Sequence, residues 1–178
     1  AMNENCVVVL PTGLGKTTIA LHVIAEYLSR ESVGILFLAP TRVLVNQHFE
    51  FLKQNLTIDD ITLITGEDNV EKRTDLWNSR IICATPEVVR NDLNRKIITS
   101  QQFSLVIFDE VHRTTGDYAY SSIAEYFENS NTRLLGMTAT LPSEQEKATE
   151  ILTRLRISSV AERNETSPDV KPYIQETN

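Results

Sequence analysis

The sequence predicts an α/β fold built on a mostly parallel β-sheet with helices on both faces, and three observations carry that prediction. Six short apolar runs alternate with five segments of helical periodicity. The runs are β-branched or nearly unbroken, as strands buried on both faces are. A glycine-rich loop ending in Lys16 joins the first run to the first helical segment, which is the setting a phosphate-binding loop requires. Strands alternating with helices form βαβ units with right-handed crossovers, and such units assemble parallel sheets.

The elements follow in order. A strand is expected over Cys6–Leu10. A helix is expected over Thr17–Arg30, where Ile19, Ala20, Val23, Ile24, Tyr27 and Leu28 recur at helical spacing. Further strands are expected over Val33–Ala39, Asp60–Ile64, Arg80–Ala84, Ser104–Phe108 and Arg133–Met137. Helical patterns occupy Val43–Gln54, Glu87–Leu93, Tyr118–Phe127 and Ser143–Leu155. The chain of 178 residues is about one domain long. Composition shifts near residue 160, which suggests a domain over 1–160 and a polar tail over 161–178 carrying Pro168 and Pro172. The tail reads equally as a lead into a downstream region or as a frayed terminus.

Composition excludes several classes. The two cysteines, Cys6 and Cys83, cannot build a disulfide scaffold and point to a reducing compartment. No C-x-x-C pair is present to found a structural zinc site. No run reaches the roughly 18 apolar residues of a membrane span, and the N-terminus carries no secretory signal pattern. The net charge of −7 argues against a broad nucleic-acid-binding surface, while leaving local phosphate contacts open.

Chemistry concentrates in a few motifs. Pro11-Thr12-Gly13-Leu14-Gly15-Lys16-Thr17-Thr18 follows a strand and opens a helix. Gly13 and Gly15 let the backbone approach a phosphate closely. Their N–H groups then form an anion nest at the positive end of the helix. Lys16 would reach the β- and γ-phosphates, and the Thr17 hydroxyl would hold Mg²⁺. The strict phosphate-loop pattern places glycine where Leu10 stands. The second motif, Asp109-Glu110-Val111-His112, follows an apolar strand. Ligands of parallel sheets bind at the carboxyl ends of strands, so this motif and the Gly-rich loop can face one site. Asp109 would hold Mg²⁺ through its water shell, and Glu110 would orient and deprotonate the attacking water. His112 reads either as a structural histidine or as a sensor of the γ-phosphate. Thr138-Ala139-Thr140 reads equally as a hydrogen-bonding partner for carboxylates on a neighbouring strand or as a strand-to-turn transition. Three loops, Ala39-Pro40-Thr41-Arg42, Thr65-Gly66-Glu67 and Thr85-Pro86-Glu87, end strands and begin helices or turns. They suit a phosphate backbone, and they also suit helix capping.

Together these motifs resemble the first RecA-like domain of a superfamily 2 helicase of the DEAD/DEAH type. Pro11–Thr17 looks like motif I, Ala39–Arg42 like motif Ia, and Thr65–Glu67 like the T-G-E element. Thr85-Pro86 looks like the T-P element, Asp109–His112 like motif II, and Thr138–Thr140 like motif III. In that family alanine usually fills the position of Leu10, which accounts for the departure from the strict phosphate-loop pattern. Leu10–Thr17, His112–Tyr120 and Ser167–Tyr173 are similar to the narrower group of archaeal Hef, Fanconi anaemia group M and Mph1 helicases.

The resemblance implies a RecA-like P-loop NTPase that uses ATP and Mg²⁺ to move on forked or branched DNA in replication-fork repair. Pro11, Thr12, Gly13, Leu14, Gly15, Lys16, Thr17 and Thr18 would bind nucleotide, and Thr17 and Asp109 the metal. Lys16, Asp109 and Glu110 would serve catalysis. His112, Thr138 and Thr140 would couple the two sites. Thr41, Arg42, Thr65, Gly66, Thr85 and Pro86 would contact the nucleic-acid backbone. The RIG-I and Dicer helicases are near relatives, so RNA is an alternative substrate. An ATP-switched remodelling scaffold is a reading of another class. The family's adenine-contact motif and second RecA-like domain fall outside this sequence. The 178 residues are therefore expected to be a monomeric fragment that is nearly inactive alone. The expected setting is cytoplasmic, nucleoid-associated in an archaeon or nuclear in a eukaryote, with no membrane partner.

Overall fold

The computed structural model describes residues 6–9, 15–30, 34–109, 119–128, 130–138 and 159–162. Seven strands form one sheet: β1 (Cys6–Val9), β2 (Gly34–Leu38), β3 (Ile61–Ile64), β4 (Ile81–Ala84), β5 (Phe103–Phe108), β6 (Arg133–Thr138) and β7 (Ser159–Glu162). Their order is β3-β4-β2-β5-β6-β1-β7, and every pairing is parallel. The described helices are α1 (Gly15–Arg30), α2 (Arg42–Asn55), α3 (Val70–Leu76), α4 (Pro86–Asn94) and α5 (Ala119–Tyr126). None is long and apolar enough to cross a membrane.

Side chains alternate across the pleat, so each inner strand feeds two cores. Ile35, Phe37, Ile81, Cys83, Leu105, Ile107, Leu135 and Met137 pack with Ile19, Val23 and Ile24 of α1 and Val45 and Leu52 of α2. Leu36, Leu38, Ile82, Ala84, Val106, Phe108 and Leu134 pack with Val88, Val89 and Leu93 of α4 and Ile123 and Ala124 of α5. Burial on both faces is why these strands read as unbroken apolar runs rather than as alternating ones.

The expected strands form within a residue or so of their sequence boundaries. Two further elements escape the periodicity. The helix α3 reads VEKRTDL and has no apolar stripe, because its buried residue is Arg73. The strand β7 is a four-residue edge strand beside β1, and it runs across the boundary expected between 160 and 161. Two ends are set by local chemistry. Asn69 caps α3 by accepting from the Lys72 N–H at 2.8 Å. At the end of α4, Lys96 takes φ 60° where glycine is usual, while the N–H groups of Lys96 and Ile97 donate to the carbonyls of Leu93 (3.1 Å) and Asp92 (2.9 Å). The helix expected over Ser143–Leu155 lies outside the described residues.

Candidate functional site

Because all strands are parallel, every strand's carboxyl end opens onto one edge of the sheet, and the described residues of the sequence motifs gather there. The edge divides in two. At the β5-β6-β1 side stand the start of α1, where Gly15, Lys16 and Thr17 form the first turn, Asp109 after β5, and Thr138 at the end of β6. Thr18 follows in α1, half-buried. Pro11, Thr12, Gly13, Leu14, Glu110, His112 and Thr140 lie outside the described residues. At the β3-β4-β2 side stand the loops that carry Thr41 and Arg42, Thr65 and Gly66, and Thr85 and Pro86.

Asp109 is held on three sides. Its N–H donates to the Leu38 carbonyl at 2.8 Å, which carries the β2–β5 ladder one residue past the strand. Its carbonyl accepts from the Tyr120 hydroxyl at 2.7 Å, and the Tyr120 ring meets Phe108 edge-on with centroids 5.0 Å apart. Its carboxylate Oδ2 lies 2.6 Å from His48 Nε2. A carboxylate has only acceptors, so the imidazole N–H donates. Asp109 is 2% exposed, yet it stands at the edge where α1 begins. The residue types suit Mg²⁺, which takes oxygen ligands and binds through one or two carboxylates plus substrate phosphates. Here a fixed carboxylate shares its edge with the hydroxyl residue Thr17 in the first turn of α1.

The three loops line one open groove of about 790 Å³. Its walls include Pro40, Arg42, Gly66, Glu67, Asp68, Asn69, Thr85, Glu87, Asn91 and Arg95. Arg42 forms an ion pair with Glu67 in this groove, and both side chains are largely exposed. The Thr41 hydroxyl caps α2 by accepting from the Leu44 N–H at 3.2 Å. Thr85 occupies the N-cap of α4 without a side-chain capping bond, and Pro86 takes the first helical turn. No atom lies within 4 Å of where a Cβ on Gly66 would stand. Neither crowding nor positive φ demands glycine there, so Gly66 leaves open space in the groove wall. Capping therefore accounts for the Thr41 hydroxyl and not for that of Thr85.

Beneath the groove sits a buried polar cluster. Arg73 Nε and Nη2 donate to the two oxygens of Asp92 at 2.9 and 2.8 Å, and Trp77 Nε1 donates to Asp92 Oδ2 at 2.8 Å. Arg73 Nη1 reaches back to the Asp68 carbonyl at 2.6 Å, fixing the turn that carries Gly66 and Glu67. Hydrogen bonding to Asp92 raises the Arg73 pKa above its ordinary value, against the opposing effect of burial. Sequence reasoning misses this cluster and His48, although a signal exists for both. Asp92 falls on the apolar face defined by Val88, Val89 and Leu93, and His48 falls on the face defined by Val45 and Leu52. A polar group on a buried stripe requires a partner.

The fold and the placement of these motifs define an α/β P-loop helicase domain of RecA-like architecture. The DEAD/DEAH box helicase family matches residues 1–148, and the chain belongs to that family. Within it, the chain falls with the Hef and Mph1 group. It is 44% identical over 177 residues to MJ1505 of Methanocaldococcus jannaschii, provisionally named an ATP-dependent RNA helicase, covering 98% of this chain and 23% of that protein. It is 37% identical over 177 residues to the ATP-dependent DNA helicase MPH1 of Saccharomyces cerevisiae (strain YJM789), covering 97% of this chain and 18% of that protein. The crystal structure of the Pyrococcus furiosus Hef helicase domain is similar with a TM-score of 0.87 and 38% identity, covering 99% of this chain and 39% of that one. The chain thus spans roughly a fifth of the length of these curated relatives.

Proposed function

We propose that this chain is the ATP-binding first domain of a two-domain DNA helicase or translocase that acts on forked or branched DNA. The observation that supports it is the division of one sheet edge into a nucleotide side and a groove side, joined by β2 and β5. On the nucleotide side, Gly13, Gly15 and neighbouring N–H groups bind phosphate at the positive end of α1. Lys16 places its charge at the β- and γ-phosphates, and Thr17 and Asp109 hold Mg²⁺. Bound Mg²⁺ neutralises charge on the phosphate oxygens. Glu110 orients the attacking water and takes its proton. His112, Thr138 and Thr140 relay the state of the site.

On the groove side, Arg42 exchanges its exposed partner Glu67 for a backbone phosphate. The Thr41 hydroxyl accepts its capping bond and retains a proton to donate. Thr65, Thr85 and Pro86 border the track, and Gly66 admits the backbone closely. Glu67, Asp68 and Glu87 line the same groove as Arg42 and Arg95, so affinity here is low and falls steeply with salt.

The experiment is steady-state ATP hydrolysis by the two-domain protein with forked DNA, linear duplex DNA and double-stranded RNA. Forked DNA is expected to stimulate most. The name of MJ1505 favours RNA as the second reading, and greater stimulation by double-stranded RNA would assign the domain to it. ATP binding without stimulated turnover would assign it to a switched scaffold. The 178 residues alone are expected to turn over barely above background, because an arginine finger from a second domain contributes about 10³–10⁵ in rate.

A further inference from the structure

His48 is 8% exposed on the inner face of α2, between Val45 and Leu52. Packing alone would be served there by leucine. The imidazole instead stacks on Phe37 of β2, with centroids 4.5 Å apart and planes 24° apart, and its Nε2 donates to Asp109 Oδ2 at 2.6 Å across 61 residues of sequence. The Asp109 main chain is already fixed by Leu38 and Tyr120. The side-chain torsion is constrained at Oδ2 by the His48 hydrogen bond. The same helix begins in the groove. Arg42 precedes His48 by six residues, about 9 Å along the axis at about 1.5 Å per residue.

We propose that His48 is the positioning residue that aims the Asp109 carboxylate at its metal, and that α2 is the rigid link from groove to nucleotide site. The inference rests on the reading of Asp109 as a Mg²⁺ ligand. A partner that orients a metal-binding carboxylate is typically worth about 10–100-fold in metal affinity or activity.

The test is titration of the 178-residue chain with a fluorescent ADP, once in saturating Mg²⁺ and once in EDTA, with melting temperature as the control for folding. His48→Phe keeps a ring against Phe37 and removes the donor. It should lower affinity in Mg²⁺ about tenfold and leave affinity in EDTA within about twofold of wild type. His48→Gln, which keeps an N–H donor, should restore most of the Mg²⁺ effect. In an Asp109→Asn background, His48→Phe should cost nothing further. An unchanged Mg²⁺ effect in His48→Phe, or an equal loss in EDTA, would overturn the inference and leave His48 a core residue. A wild-type chain that binds ADP equally with and without Mg²⁺ would overturn the metal reading beneath it.

Discussion

Arg42 with Glu67 and Arg73 with Asp92 are both arginine–carboxylate pairs beside one groove, and burial gives them opposite properties. Side-chain exposure is 58% and 73% in the first pair and 7% and 0% in the second. In the exposed pair water already solvates both charges, so the pair contributes about 0–1 kcal/mol and either partner can be exchanged for another ion. In the buried pair the charges are committed. Asp92 accepts three side-chain hydrogen bonds, and Arg73 spends a further donor on the Asp68 carbonyl. One pair is free to exchange partners, while the other holds the wall of the groove.

The largest expected effect is on the buried pair. Asp92→Ala leaves the Arg73 guanidinium buried without its counter-ion and should lower the unfolding free energy by about 3–5 kcal/mol in urea titrations. A loss no greater than that of Arg42→Ala would break the contrast. An intermediate effect is expected at Cys83, which lies in β4 two residues before Thr85. Burial pushes its thiol pKa up to about 12. An unfolded thiol titrates at about 8.5. The folded-state value is the higher one, so the contribution is fully present below about pH 8.5 and is lost as pH rises toward the folded value. Stability should therefore fall by on the order of 2 kcal/mol between about pH 8 and about pH 10, and Cys83→Ala should lose that part of the pH slope. An equal slope in the variant would mean that the thiol is solvated. The smallest expected effect is Arg42→Ala, which should change stability by less than about 1 kcal/mol. The same variant should flatten the salt dependence of single-stranded DNA binding by about 0.7 in log–log slope. An unchanged slope would remove Arg42 from the track.

Val88, Val89 and Leu93 betray a helix face from spacing alone, because a 3.6-residue period maps sequence directly onto one side of a cylinder. The same spacing marks Asp92 and His48 as out of place without naming their partners. Nothing in VEKRTDL announces a helix whose buried side chain is an arginine, and nothing local announces that Ser159–Glu162 adds to the edge of β1. Local periodicity cannot reveal contacts whose partners are supplied by another element.

By itself the sequence determined six of the seven described strands, most of the described helices, the parallel class of the sheet and the residues of the phosphate and carboxylate motifs, since these depend on short-range apolar spacing and on turn chemistry. Tertiary structure alone decided the order β3-β4-β2-β5-β6-β1-β7, the meeting of three loops in one groove, the anchoring of the Gly66 turn by Arg73, and the reach of His48 to Asp109. The physical reason is that parallel crossovers set which strands become neighbours. Only that choice brings polar side chains tens of residues apart within hydrogen-bonding distance, where burial makes their pairing compulsory.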